Sequence, residues 1–185
     1  MKSYKFIKKL FFFLKYQIYI NETIVLYQLG DSVKQISPAI IQYANSSNLD
    51  DILYFKDKKT IDSFKKFLQI GDIGYFAYFD KNCIHRSWVV SNNQVVYLHQ
   101  TIPYKLKDNE IFIHYSETAN EARGKNVFPH VLSYIIESNK NKEILIAVNK
   151  KNLASIRAVQ KVGFEEKEII QTIVLVGIKF KRYLK

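Results

Sequence analysis

The sequence predicts a mixed α/β domain, a sheet with helices packed against it. Segments of β-branched and apolar residues alternate along the chain with segments whose apolar residues recur at helical spacing. The amphipathic helix at 127–139 and the helix at 152–162 have a strand between them. At 185 residues the chain is long enough for one ordinary core without metals or disulfides, and too short for two full domains.

Taken in order, residues 1–20 read as a basic, aromatic N-terminal helix ahead of a domain at 21–185. Lys2, Lys5, Lys8, Lys9 and Lys15 surround the apolar run 10–14. A spanning helix needs about 20 apolar residues and a signal core about 7 to 15 followed by a small-residue cleavage site. Here Lys15, Tyr16 and Gln17 follow at once. Lysines flanking Phe11, Phe12 and Phe13 would also suit a helix lying on a membrane surface, but the expectation is a helix packed on the domain's own sheet.

The β-branched run 22–29 ends at Gly30-Asp31 and reads as the first strand. Pro38 is read as opening a short helix through Tyr43, and 46–51 as a polar loop. In 58–68, Ile61, Phe64, Phe67 and Leu68 fall at helical spacing with lysines opposite. The runs 73–79 and 83–90 form a hairpin about Asp80-Lys81-Asn82, with Tyr75, Phe76 and Trp88 read as core. Residues 92–109, with Pro103, read as an irregular excursion. The strand 110–118 alternates Ile111, Ile113, Tyr115 and Glu117 against Phe112, His114, Ser116 and Thr118. Pro129 suits the first turn of the helix 127–139. A strand at 143–148 leads to Asn152, an N-cap, and Gly163 terminates that helix. Two strands, 164–170 and 172–180, close the chain.

The formal charge of +11 implies a surface that attracts anions, which nucleic acid, anionic lipid and phosphorylated small molecules all satisfy. Many Lys, Ile, Asn, Phe and Tyr residues with only six glycines resemble the drift of an AT-rich genome, which discounts the nucleic-acid reading. The lone Cys83 cannot form an intrachain disulfide, and His85, His99, His114 and His130 show no paired metal-ligand spacing. A reducing cytoplasm and no metal are expected.

The segment 121–128, E-A-R-G-K-N-V-F, lies between a strand and an amphipathic helix. Arg123, Gly124 and Lys125 at a helix start put free N–H groups and positive charge together, which is what a pyrophosphate needs. A second segment, 148–164, reads V-N-K-K-N-L-A-S-I-R-A-V-Q-K-V-G-F. It resembles the N-x-x-S-I-R-x-x-x-K-x-G-F pattern on the last helix and following strand of the GNAT superfamily of acyl-CoA-dependent N-acyltransferases. The segment 123–128 is similar to that superfamily's pyrophosphate loop, in which an Arg or Gln is followed by Gly at the fourth position and Gly or Ala at the sixth. Both motifs occur in the family's order, and the resemblance covers about 22–180. Two positions depart from it. Asn126 replaces glycine, but asparagine tolerates a left-handed backbone; Phe128 takes the sixth place. A large aromatic followed by Pro129 resembles a variant in GNAT proteins of bacterial surface-polysaccharide pathways, as does 83–89, C-I-H-R-S-W-V, with its H-x-S-x-V pattern.

The resemblance implies a GNAT fold, a central twisted, mostly antiparallel sheet of about six to seven strands flanked by helices. It implies that acetyl-CoA is the cosubstrate and a small-molecule primary amine the acceptor, an amino sugar or nucleotide-linked amino sugar being suggested by the subgroup likeness. Arg123, Gly124, Lys125, Asn126, Val127 and Phe128 would supply the pyrophosphate loop. Ser116, Glu117 and Thr118 would pair with the pantetheine arm like an added strand, and Asn152 and Ser155 would lie at the cofactor. The family's frequent tyrosine acid, seven residues beyond that asparagine, is replaced by Val159. Candidates for the base that takes a proton from the acceptor are Glu117, His114 and His85; histidine titrates in the useful range unaided. A monomer or homodimer is expected. The competing readings are a non-catalytic acyl-CoA-binding module and a basic membrane-surface or nucleic-acid-binding protein, neither of which explains the paired motifs.

Overall fold

A computed structural model of the protein describes residues 19–91, 94–99, 102–175 and 178–184; of the helix expected at 1–20, residues 1–18 lie outside them, and Tyr19 and Ile20 belong to the first strand rather than to a helix. Strands β1 (Tyr19–Leu29), β2 (Ile40–Tyr43), β3 (Ile73–Phe79), β4 (Asn82–Val90), β7 (Glu110–Thr118), β8 (Glu143–Asn149), β9 (Phe164–Leu175) and β10 (Ile178–Tyr183) form one sheet in the order β10-β9-β1-β8-β7-β4-β3-β2. Among the described strand pairs, only the central β7–β8 pair is parallel. β5 (Val95–His99) and β6 (Ile102–Lys105) make a separate ribbon. Helices α1 (Lys58–Gln69), α2 (Val127–Ser138) and α3 (Leu153–Lys161) and two short 3-10 turns complete the described elements. No described helix is long and apolar enough to cross a membrane.

The two sheet faces are covered differently. Val131, Leu132 and Ile135 of α2, with Val159 of α3, bury against Val25, Tyr27, Tyr75, Ala77, Ile111 and Ile146. The side chains alternate with these along the strands, so Leu26, Phe112 and Leu145 meet the β5–β6 ribbon on the opposite face. On that face too, Phe64 of α1 packs on Phe76 and Trp88, at ring-centroid distances of 5.9 and 5.0 Å. Trp88, Tyr75 and Phe76 are therefore core, as their residue types suggest.

Helix ends follow local chemistry. Asp57 caps α1 by accepting from the Thr60 amide at 3.2 Å, and Asn152 caps α3 by accepting from the Ser155 amide at 3.1 Å. The hairpin between β3 and β4 turns on Asp80 and Lys81, both at positive φ, the backbone that matches strand twist in a tight turn.

Several expectations are corrected. Residues 40–43 form β2 rather than a helix: four residues cannot repay helix nucleation, and Ile40, Ile41 and Tyr43 gain ladder bonds beside β3. The loop expected at 46–51 closes as a 3-10 turn, Leu49–Tyr54, with Leu49 and Ile52 buried. Residues 92–109 contain the β5–β6 ribbon, in which Pro103 stands opposite Tyr97. The last two strands do not break at Gln171, which pairs with Thr23 on one side and Arg182 on the other. With β2 and β10 as edges, the main sheet has more strands than expected.

Buried Glu110 ties the ribbon to the sheet. Its carboxylate accepts from the Tyr104 hydroxyl at 3.0 Å and the Lys107 amide at 3.0 Å, and faces Lys167 Nζ at 3.3 Å. Burial pushes this carboxyl up, but those three donors outweigh it and hold it below its usual value.

The turn from α3 into β9 has no room for a side chain. Gly163 has φ +102°, and a Cβ there would meet the Asp31 carbonyl oxygen at 2.0 Å. Gly30 N donates to Gly163 O and Val33 N to Val162 O, each at 2.9 Å. Gly163→Ala is expected to cost about 2 kcal/mol or more through strain and displaced backbone. Urea melts will read the change, and a variant as stable as the parent would refute this account of the turn.

Candidate functional site

The central parallel pair is short. β7 and β8 match only from Glu110↔Glu143 to Ile113↔Ile146. Beyond Ile113, β8 continues on β1, with Val148 opposite Val25, whereas β7 stays with β4 as far as Thr118. The strands therefore part in the middle of the sheet, and residues 116–118 line the opening.

A bulge in β7 accompanies the parting. Trp88 pairs with His114 and Arg86 with Glu117, so Tyr115 and Ser116 stand opposite Ser87. Tyr115 has φ +55°, a left-handed conformation that costs roughly 1–2 kcal/mol for such a residue. Arg86 holds it in place. The guanidinium is buried, donates to the Tyr115 carbonyl and to Glu117 Oε2 (2.6 Å), and lies 4.2 Å from the Tyr115 ring centroid. The sequence reading missed Arg86, although an arginine inside a run as apolar as 83–90 was the available signal.

The opening leads into a cleft of about 620 Å³ between the end of β7, the start of α2 and the exposed face of α3. Ser116, Glu117 and Thr118 form one wall; Arg123, Gly124, Asn126, Val127 and Phe128 another; Asn152 and Ser155 a third. These sequence-predicted residues are thus brought together. Arg157 and Lys161 of α3 also face the cleft, two cations the sequence reading did not single out. Lys125 turns away, its Nζ 5.8 Å from the Phe79 ring centroid, and is not on the cleft lining.

The loop before α2 has the backbone of an anion cradle. Gly124 has φ +77° and Asn126 φ +58°, ψ +20°, so asparagine takes the left-handed backbone its side chain tolerates. The first bond of the helix runs from His130 N to Asn126 O, and helix amides before that point have no intrahelical acceptor. Asn126 also pins the loop: Nδ2 donates to Ile36 O at 2.8 Å, and Lys161 Nζ donates to its Oδ1 at 2.9 Å. Arg123 Nε donates to Thr118 O at 3.3 Å, joining loop to strand. Amides, a helix N-terminus and three cations on one cleft suit a pyrophosphate.

The three candidate bases stand in different surroundings. His114 is not on the cleft; Nε2 is 3.2 Å from Asp72 Oδ2, and its ring packs on Phe67 at 5.0 Å. Its place on the α1 side of the sheet follows from strand alternation. Glu117 faces the cleft with both oxygens engaged, Oε1 by Lys56 and Oε2 by Arg86. His85 is on the cleft lining although its surface is fully buried, and the Phe128 ring stacks on it at 5.4 Å. Nδ1 is 2.7 Å from Thr118 Oγ1 and Nε2 is 2.8 Å from Ser87 Oγ, which donates onward to Ser116 Oγ at 2.8 Å. Burial, with the charge of Arg86, pushes the imidazole down to about 3. It is neutral at physiological pH and has no nitrogen left for a substrate. Val159, seven residues beyond Asn152, is buried in the core.

No protein-family profile and no curated protein matches the sequence. Solved structures share its fold. An acetyltransferase of the GNAT family from Colwellia psychrerythraea superposes with a TM-score of 0.63 at 12% identity, over 94% of this chain and 61% of its own. A functionally unknown conserved protein from Staphylococcus epidermidis gives 0.62 at 13% identity, over 86% and 64%. AAC(6')-Iy, solved with the bisubstrate analogue CoA-S-monomethyl-acetylneamine, gives 0.55 at 17% identity, over 70% and 92%. This chain spans under two thirds of the length of the first two. What the likeness establishes is the fold, that of the GNAT acetyltransferases.

A histidine held below its unfolded value stabilises the fold fully above about pH 6.5 and progressively less as pH falls toward 3. His85 alone should remove about 1.4 kcal/mol of stability per pH unit in that window. His85→Gln should therefore flatten the stability profile between about pH 6 and 4 relative to the parent, as read by urea melts. Parallel profiles would show that His85 protonates in the folded protein.

Proposed function

We propose that this protein is an acetyl-CoA-dependent N-acetyltransferase acting on a small-molecule primary amine by direct attack in a ternary complex. The observation that carries the proposal is the parted β7–β8 pair opening onto the left-handed loop 123–126 at the start of α2. That pairing of a free strand edge with an anion cradle fits a ligand with an amide-bearing arm and a pyrophosphate. The fold shared with GNAT acetyltransferases supports the same reading.

In this reading the amides of 124–128, with Arg123, Arg157 and Lys161, hold the pyrophosphate. The backbone of Ser116, Glu117 and Thr118 pairs with the pantetheine arm. Asn152 keeps Oδ1 on its helix cap and presents Nδ2 near the thioester, beside Ser155. The amine nitrogen attacks the thioester carbonyl, the C–S bond breaks, and the acetyl group leaves with nitrogen as an amide. Glu117, a candidate base on the cleft lining, receives the acceptor's proton directly or through water. The thiolate takes its proton from solvent, since a thiol is a tolerable leaving group near neutral pH. His85 acts as a neutral strut linking Thr118, Ser87 and Ser116 rather than as a base. An amino sugar, nucleotide-linked or free, is the acceptor suggested by the sequence likeness of 83–89 and 123–129 to polysaccharide-pathway proteins.

A non-catalytic acyl-CoA-binding module is the second reading, favoured by the double ion pairing of Glu117 and by Val159. Release of free CoA with a panel of primary amines separates the two, since a binding module releases none.

Acetyl-CoA is expected to bind with a dissociation constant between low micromolar and sub-millimolar, about 4 to 8 kcal/mol. Arg123→Ala should weaken it. Asn152→Ala should cost about 0.5 to 2 kcal/mol of stability through the lost cap and also raise the Michaelis constant for acetyl-CoA, whereas Asn152→Asp keeps the cap and alters only the second. Calorimetry and thermal melting read both quantities. Unchanged acetyl-CoA affinity in folded Arg123→Ala and Asn152→Asp variants would remove the cofactor from this cleft.

A further inference from the structure

We infer that the acceptor is an amine that also carries a carboxylate or phosphate, and that Lys56 is the residue that recognises it. The inference rests on the acetyl-transfer reading above and concerns the acceptor side of the same cleft. Among the charged side chains lining the cleft, Arg123, Arg157 and Lys161 are cations and Glu117 is the carboxylate. An incoming ammonium therefore has Glu117 to face, and both its oxygens are already taken.

The two cations on Glu117 are not equally free to move. Arg86 is buried, with 7% of its side chain exposed, and also holds the Tyr115 carbonyl and lies over the Tyr115 and Phe64 rings. Displacing it would release the bulge. Lys56 sits just after the 3-10 turn Leu49–Tyr54, with 26% of its side chain exposed, and a flexible stem lets its ammonium swing aside at small cost. An acceptor amine that engages Glu117 Oε1 takes the place of Lys56 and leaves that ammonium uncompensated.

The charge balance then selects the acceptor. A zwitterionic amine offers its ammonium to Glu117 and its anion to Lys56, so one ion pair is exchanged for two. A polycation breaks the Lys56–Glu117 pair and brings further positive charge toward Lys56 and Arg86, an arrangement that like-charge repulsion disfavours. A neutral amino sugar exchanges one pair for one. Lys56 is thus a specificity determinant, and polyamines and aminoglycosides are poor acceptors.

The test compares glucosamine, glucosamine 6-phosphate, muramic acid and spermidine, the second and third being matched amino sugars that add a phosphate or a carboxylate. Acceptor affinity is measured by calorimetry in the presence of CoA, and kcat/KM by CoA release, for the parent, Lys56→Gln and Lys56→Glu; acetyl-CoA titration confirms that each variant is folded. At least one anionic amino sugar is expected to exceed glucosamine by ten-fold or more in the parent, with spermidine weakest. The advantage should vanish in Lys56→Gln, and spermidine should overtake in Lys56→Glu. Spermidine equal to the anionic amines in the parent, no anionic advantage in affinity, or an advantage that survives Lys56→Gln would overturn the inference. Failure of the parent to bind acetyl-CoA would instead sink the transferase reading itself.

Discussion

The parting of β7 from β8 is the constraint on which the rest of the site depends. Two parallel neighbours in a sheet normally share hydrogen bonds along their length, because unpaired backbone groups in an interior are costly. Here they share them for four residues and then separate. The separation is held from both sides. β8 stays with β1 through Asn149, and β7 is drawn to β4 through a bulge whose left-handed Tyr115 is clamped by the buried Arg86. An open strand edge in the middle of a sheet is a template for anything that can complete the ladder. The cleft, the loop 123–128 and the cap of α3 are all arranged around that edge.

The same clamp sets the electrostatics. Arg86 fixes Glu117 by one oxygen, and its charge adds to burial, the larger cause, in lowering the affinity of His85 for a proton. The result is a site with a single candidate proton acceptor and a neutral hydroxyl–imidazole chain beneath it. Phe128 stacks on that imidazole, and both rings belong to the cleft lining. The large side chain there has a packing partner in His85, which accounts for its presence without disturbing the left-handed Asn126 two residues before it.

Much of this was legible in the sequence. Capping asparagine 152, Gly163 and the apolar stripes of 58–68 and 127–139 specify local structure, and the structure has it. The loop 123–128 was readable because glycine and asparagine at a helix start carry backbone information. What was not legible depends on pairing between distant segments. The edge strand β2 is too short to show a period, and the continuation of β9 through Gln171 depends on β1 and β10 beside it. The alternation of β7 assigned His114 and Thr118 to one face, but the bulge at Tyr115 resets that parity, so Thr118 reaches the cleft and His114 packs near Asp72. Lys56, 61 residues from Glu117 in sequence, has no local pattern that announces the contact.

The central claim is that the free edge of β7 and the loop before α2 together hold acetyl-CoA. Amide-resolved NMR of the protein titrated with acetyl-CoA tests it most directly, since both halves of the site are backbone. The account predicts saturable shifts concentrated in the amides of 116–118 and 124–128, with the strand 22–29 on the far side of β8 little changed. Shifts confined to surface lysines, or saturation that leaves both segments unmoved, would contradict it.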